Sequence, residues 1–376
     1  MRQYPLTFLL LFFFGFRAVS QEYYLFVGTY DSPKSEGIYV YKFSGSDGSA
    51  TAVSSVRTSN PSYLAVSPDE KMVYAVNENG DSAAFAGAVS AFSFDKSAGQ
   101  LTLINQQPSL GNNPCYISVD KSGKWIFAGN YSSGNMVILP VREDGSLGPV
   151  KMNQPYTGSG PNKDRQLSSH VHCTILAGND KDLFVTDLGS DKVNIEHFHA
   201  KTGFVFDNEH KAIQMEPGAG PRHLAIDDDR DFIYVIEELT GYVSVYTYPE
   251  DGNAQFVQRV RITPDDYTGK VSGADIHLSP DGRYLYTSCR GDANVIGIYA
   301  VDKKKGTLTL KGFQPTLGKT PRNFNFDPDG KFLLVANQNS DEIVIFKRDT
   351  RTGLLKDTGN RISVGKPVCI KWAETD

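Results

Sequence analysis

From residue 61 onward the chain repeats one pattern of apolar and polar positions roughly every fifty residues. Copies begin at Pro61 (PSYLAVSPDEKMVYAVNEN), Pro114 (PCYISVDKSGKWIFAGNYS), His170 (HVHCTILAGNDKDLFVTDLGS), Pro221 (PRHLAIDDDRDFIYVIEELTG), Gly273 (GADIHLSPDGRYLYTSCRGD) and Pro321 (PRNFNFDPDGKFLLVANQNS). Each reads as a strand, a tight turn such as Ser279-Pro280-Asp281-Gly282, and a second apolar strand. A third, alternating strand is predicted at 88–94, 135–141, 192–198, 241–248, 294–301 and 342–347, and a shorter fourth follows a second turn, as at 99–103 and 306–310. Four antiparallel strands per repeat make a propeller blade, whereas a helical solenoid of this period would show 3.6-residue spacing, which is absent.

The chain ends complete the count. Residues 23–30, 37–43 and 51–58 read as second, third and fourth strands without a first, and 366–372 as a first strand alone. Pairing them makes a seventh blade and leaves no open sheet edge at the seam. The predicted architecture is an all-β, seven-bladed propeller.

That fold dictates where a site must be. A blade's first strand lines the central channel and its second runs back beside it, so starts of first strands and ends of second strands share one mouth. The starts supply Tyr63, Tyr116, His170, His172, Arg222, His223, Asp275, Arg322 and Asn323. The ends supply Tyr30, Asn77, Glu78, Asn130, Tyr131, Asp187, Glu237, Glu238, Arg290, Asn337 and Gln338. At the opposite mouth the turns are Pro-Asp-Gly-like and interchangeable; here the residues differ between blades and combine arginines, histidines and carboxylates. Ionisable groups converging in a concavity mark a candidate site, against the alternative of structural salt bridges around a wet channel.

Composition narrows the setting. The net charge of −5 gives no reason to expect a nucleic-acid or anionic-membrane partner. The first twenty residues stand apart: Arg2, an apolar run from Leu6 to Phe16, then Ala18-Val19-Ser20 before Gln21. This is the pattern of a secretory leader, the run being short for a membrane anchor, so residues 1–20 are expected to be a signal peptide and 21–376 a single propeller domain, exported to the periplasm or beyond. Losing Arg2 and Arg17 takes the charge from −5 to −7. The four cysteines, Cys115, Cys173, Cys289 and Cys369, show no paired spacing and read as small buried strand residues. Glu196-His197-Phe198-His199 puts two histidines on one face of a third strand, which reads as a solvated strand facing away from the channel. No Gly-x-Ser-x-Gly elbow, His-Glu-x-x-His, phosphate-binding loop or dinucleotide fingerprint occurs, which disfavours serine-hydrolase and zincin chemistry.

Several stretches then carry a family resemblance: Val27-Gly28-Thr29-Tyr30, Asn60-Pro61-Ser62-Tyr63-Leu64, Tyr74-Ala75-Val76-Asn77-Glu78, Ala128-Gly129-Asn130-Tyr131-Ser132-Ser133-Gly134, Ser169-His170-Val171-His172 and Asp187-Leu188-Gly189-Ser190-Asp191. Further on come Gly218-Ala219-Gly220-Pro221-Arg222-His223-Leu224, Ile276-His277-Leu278-Ser279-Pro280-Asp281-Gly282 and Pro321-Arg322-Asn323-Phe324. In this order they resemble the seven-bladed propeller lactonases, which include 6-phosphogluconolactonases and carboxy-muconate cyclases. The resemblance implies a His, Arg and Glu cluster at the channel mouth. Its catalytic members would be Glu238, His172, Arg222 and Arg290, with His170, His223, Glu78, Tyr131, Asp275 and Arg322 binding substrate. Three departures bear on substrate choice: the family's Asn-Glu-Leu is Glu237-Glu238-Leu239, its Asn-Arg-Gly is Cys289-Arg290-Gly291, and its Cys-His is Cys115-Tyr116.

The implied reaction is hydrolysis of a small sugar lactone without cofactor or metal. Glu238 or His172 would take a proton from water, and Arg222 and Arg290 would hold the oxyanion or an anionic substituent. Closing a lactone would run the same steps in reverse. Two other readings stand beside it: a non-enzymatic propeller that binds a ligand or protein, and a calcium-assisted lactonase using Asp187, Glu237, Glu238 and Asp275, which the neighbouring arginines oppose. An exported enzyme would meet unphosphorylated lactones more readily than cytosolic sugar phosphates. The sequence leaves substrate, reaction direction and oligomeric state open.

Overall fold

The structure, a computed structural model, describes residues 21–80, 87–205, 211–248 and 253–375. The leader assigned to residues 1–20 lies outside them. The described residues form seven antiparallel sheets, six of four strands and one of five. Blade 1 comprises Leu64–Val66, Met72–Asn77, Ala88–Asp95 and Gln100–Pro108, and blade 2 comprises Pro114–Val119, Trp125–Asn130, Asn135–Pro140 and Met152–Pro155. Blade 3 begins with Val171–Leu176, Asp182–Asp187 and Lys192–His199, and its fourth position is split between Phe204–Val205 and Lys211–Gln214. Blades 4, 5 and 6 open with Pro221–Asp227, Val271–Leu278 and Pro321–Phe326.

The closing blade has the order Pro367–Glu374, Glu22–Thr29, Gly37–Ser44, Ala50–Arg57, so the last strand of the chain pairs antiparallel with the first. Tyr23 and Phe43 meet Trp372 edge-to-face at 6.4 and 5.0 Å between ring centres, which seals this seam with aromatic contacts. Around the channel every first strand contacts the first strand of the next blade, and the ring is complete.

Second strands are apolar throughout because they are covered on both faces; Met72–Asn77, Phe332–Asn337 and Phe232–Glu237 are wholly buried. Their tyrosines tie neighbouring blades: Tyr24 OH donates to Lys96 O at 2.5 Å, Tyr74 OH to Gly145 O at 3.2 Å and Tyr286 OH to Gly353 O at 2.5 Å. Fourth strands alternate between exposed and half-buried positions, as at the rim of a ring.

Four of the turns between first and second strands share one cap. Ser67 Oγ, Asp120 Oδ1, Ser279 Oγ and Asp327 Oδ1 each accept the backbone N–H five residues on, at 3.0, 2.8, 3.1 and 2.6 Å. The fourth turn position is left-handed, with φ of 70° at Gly123, 59° at Gly282 and 66° at Gly330, which is why glycine recurs there. All four cysteines are buried and unpaired, each within a strand, as read from their spacing.

One expectation is corrected. Glu196 is not on a solvated strand: it is buried, and Tyr156 OH donates to its Oε1 at 2.9 Å. The third strand is covered by the neighbouring blade on the face Glu196 uses, while His197 on the other face lies 3.6 Å from Asp182. No cluster of His, Cys, Asp or Glu suited to a metal occurs among the described residues.

Candidate active site

The channel mouth is built from strand irregularities. In blades 2 to 6 the register between first and second strands slips at the mouth: between Pro114 and Tyr116, Val171 and Cys173, Pro221 and Leu224, Gly273 and Ile276, and Pro321 and Asn323. A bulge inserts an unpaired residue and re-aims its side chain. The residues within these bulges include Cys115, His172, Arg222, His223, Asp275 and Arg322.

The ends of the second strands sort by the two-residue period of a strand. Asn77, Asn130, Asp187, Glu237 and Asn337 turn into their blades and are buried. There they hold turns together: Asn130 Nδ2 donates to Ser109 O at 2.8 Å, Asn337 Nδ2 to Thr316 O at 3.0 Å, and Asp187 Oδ1 accepts from the N–H of His170 at 2.7 Å. The following residues, Glu78, Tyr131 and Glu238, turn towards the mouth.

Glu238 is the centre of the first cluster. Arg165 Nη2 donates to its Oε1 at 2.7 Å and also to Tyr131 OH at 3.0 Å. Arg222 Nε and Arg290 Nη2 lie 3.1 and 2.9 Å from its Oε2. Arg222 is fixed further by donating from Nη1 to Ala274 O, and Arg290 Nη2 donates to Gly273 O at 3.2 Å. Arg290 Nε is buried without a hydrogen-bond acceptor and so keeps donor capacity, whereas Arg222 Nε is taken up by its ion pair with Glu238.

A second carboxylate sits across the mouth. Glu78 Oε2 accepts from Tyr30 OH at 2.7 Å and lies 3.6 Å from Arg322 Nη2, whose guanidinium is 5.1 Å from the centre of the Tyr30 ring. Between the two poles lie the histidines. His170 stacks on Tyr131 at 4.5 Å and directs Nδ1 to Tyr131 O at 2.9 Å; a carbonyl only accepts, so Nδ1 carries a proton. His172 is buried, with Nδ1 3.6 Å from Cys115 Sγ and its ring 5.2 Å from that of His223.

Deeper in the channel, Asp275 is a buried knot. It lies 2.7 Å from His223 Nδ1 and 3.0 Å from His277 Nε2, and it accepts from Asn323 Nδ2. His223 is enclosed by Tyr63 and Tyr116, at 5.7 and 5.2 Å.

The electrostatics follow from burial against charge. Burial would raise the Glu238 pKa, but Arg290, Arg222 and Arg165 overcome it and bring the carboxyl down to about 2. Burial, followed by Arg222, His223 and Arg322, holds His172 well below the usual imidazole range, so its ring is neutral. Burial and then Arg222 lower His223 to about 3 against the pull of Asp275. Burial, Arg290 and Arg322 press Arg222 down to about 10, still protonated at neutral pH.

Nine of the ten residues singled out from sequence thus meet through direct contacts or close neighbours at the mouth or just below it, and the tenth, Asp275, anchors His223 from deeper in the wall. Arg165 and Tyr30 were missed as members. Tyr30 was visible as a second-strand end, but Arg165 lies in the loop 156–170, outside any strand register. A groove of about 1130 Å³ lies elsewhere, lined by Lys121, Asp182, Asp227, Asp231 and Tyr248, and holds none of these residues.

Comparison with known proteins agrees with this fold. The family model described as "Lactonase, 7-bladed beta-propeller" matches residues 24–372. The chain belongs to that family, and by that membership it is a lactonase. Among its relatives is the 6-phosphogluconolactonase of Formosa agariphila, 39% identical over 340 residues covering 88% of this chain and 94% of the relative. The 6-phosphogluconolactonase of Bacillus subtilis is 34% identical, covering 93% and 98%. The solved structure of the periplasmic gluconolactonase of Pseudomonas aeruginosa superposes with a TM-score of 0.89 at 37% identity, covering 94% of this chain and all of that one.

Proposed function

We propose that this protein hydrolyses a sugar δ-lactone at the Glu238 mouth. The observation that carries the reading is a buried carboxylate, Glu238, set between two largely buried arginines, Arg222 and Arg290, at the channel mouth. Glu238 Oε1 takes a proton from water as the oxygen adds to the lactone carbonyl. The oxyanion of the tetrahedral intermediate accepts hydrogen bonds from Arg222 and Arg290. As the ring C–O bond breaks, the leaving alkoxide recovers the proton from Glu238, and the product acid ionises to solvent. His172, neutral and beside Glu238's arginines, is the alternative base, while His170, Tyr131, Glu78 and Arg322 contact the sugar. His223 and Asp275 set the wall beneath it. No cofactor takes part.

The substrate is 6-phosphogluconolactone or the plain gluconolactone, the acceptors named for the relatives above. Export through the leader at residues 1–20, giving a periplasmic single-domain propeller, matches the setting of the Pseudomonas relative. A second reading, a propeller that binds its ligand without turnover, draws on the pairing of Arg222 with Glu238, which leaves the carboxylate fully engaged.

The experiment is proton release by residues 21–376 on both lactones, with spontaneous hydrolysis subtracted and Glu238→Gln alongside. Turnover that falls by roughly 10²-fold or more in the variant supports the base assignment. Unchanged kcat/KM in Glu238→Gln sinks it, and no turnover by the wild type moves the reading to the binding propeller.

A further inference from the structure

Glu238, held at the acid extreme by three guanidinium groups, is a weak base as it stands, and the arrangement of those groups shows how it can be released. Arg222 comes from the first strand of blade 4 and Arg290 from the end of the second strand of blade 5; their side chains are only 1% and 13% exposed, and both approach Oε2. Arg165 comes from the loop 156–170, is 41% exposed and makes the hydrogen bond to Oε1. Its backbone is pinned: Gln166, fully buried, donates to Leu188 O and Asp191 Oδ1 at 2.9 and 2.7 Å, and its own carbonyl accepts from the N–H of Gly160. The guanidinium is therefore the movable part, on a fixed root. The mouth also carries four arginines, Arg165, Arg222, Arg290 and Arg322, against the two carboxylates Glu238 and Glu78, an excess of positive charge that favours an anion.

We propose that Arg165 is a substrate-responsive positioning residue: an anionic substituent on the lactone draws its guanidinium from Glu238 Oε1, and the released oxygen becomes the proton acceptor. This rests on the reading of Glu238 as the base. The remaining groups facing Glu238 are Arg222, Arg290, Arg322 and the phenol of Tyr131, which burial keeps neutral, so Arg165 is the cation whose departure costs least. The binding step itself trades one charge-assisted hydrogen bond for another, from carboxylate to substrate anion, and moves no proton.

The test compares wild type, Arg165→Met and Arg165→Lys on 6-phosphogluconolactone and gluconolactone across pH, with thermal unfolding to confirm the fold. Wild type is expected to prefer the phosphorylated lactone. In Arg165→Met the preference collapses by about tenfold or more, chiefly through KM, as for loss of one charged hydrogen bond. The acidic limb of kcat/KM moves up towards the ordinary carboxylate value of about 4.3. Arg165→Lys keeps the limb low because it keeps the charge. Equal loss on both lactones with an unmoved limb, or a wild type indifferent to the phosphate, overturns the proposal. Glu238→Gln separates the two layers: full activity there removes the base assignment itself, whereas an inactive Glu238→Gln beside an unmoved Arg165→Met limb removes only the role of Arg165.

Discussion

Glu237 and Glu238 are adjacent in the chain and serve different parts of the molecule. Glu237 is buried inside blade 4, where Arg259 Nε donates to it at 2.9 Å and Ser244 Oγ at 2.7 Å. Glu238 faces the channel among Arg165, Arg222 and Arg290. The strand period of two places successive side chains on opposite faces, so one glutamate braces the blade and the other equips the mouth.

The pair separates stability from activity. Glu237→Gln breaks the charge pairing with Arg259, whose side chain is only 27% exposed, and is expected to cost about 1–3 kcal/mol while kcat/KM stays near wild type. Glu238→Gln is expected to do the reverse on activity. Urea unfolding midpoints with kcat/KM for each variant check this; a large activity loss from Glu237→Gln would contradict the assignment of faces.

If Arg222 donates to the oxyanion as proposed, Arg222→Ala is expected to lower kcat by about 10²–10³-fold. It also frees the Ala274 carbonyl, so the midpoint of unfolding should drop while the circular dichroism of the native sheet is retained. Steady-state kinetics on the folded variant decides; a kcat equal to wild type would remove Arg222 from the chemistry.

Asp327 offers a pH prediction far from the site. It is fully buried, its Oδ2 lacks a hydrogen-bond partner, and burial, with a smaller push from Asp329, raises its pKa to about 6. Because the folded state binds the proton more tightly than the unfolded chain, the ionised carboxyl costs stability above pH 6, and the cost disappears as pH falls towards 4. Ser67 and Ser279 make the same cap in blades 1 and 5 without a charge. Asp327→Ser is therefore expected to stabilise the protein by up to about 3 kcal/mol at pH 8 and by little at pH 4, read from unfolding midpoints at the two values.

The cysteines predict chemical silence. Burial pushes the Cys369 thiol up to about 11 and Cys173 to about 12, with Cys115 higher still, so the reactive thiolate is scarce. Ellman's reagent should find almost no thiol in the native protein and all four after unfolding, with or without prior reductant. Fewer than four in the unfolded, unreduced chain would reveal a disulfide.

The blades were legible because their pattern is local and repeated. Each first strand, turn and second strand carries its own alternation, four of them with a cap residue at Ser67, Asp120, Ser279 or Asp327, and repetition multiplies the signal. The closing blade was legible by subtraction, since residues 22–57 lacked a first strand and the C-terminus had one to spare. The split fourth strand of blade 3 and the burial of Glu196 were not legible, because both depend on what the neighbouring chain covers rather than on the strand itself.

By itself the sequence determined the architecture and which charged residues on the strands reach one mouth, since strand direction within a repeat already places starts and ends together. Tertiary structure decided how those residues act. The bulges at 171–173, 221–224, 273–276 and 321–323 turn His172, Arg222, Asp275 and Arg322 inward, and a bulge exists only once two strands are paired. Arg165 joins Glu238 across 73 residues of chain from a loop with no periodicity to read. Its charge is engaged because the fold brings this loop and blades 4 and 5 around one channel, where Glu238 is buried.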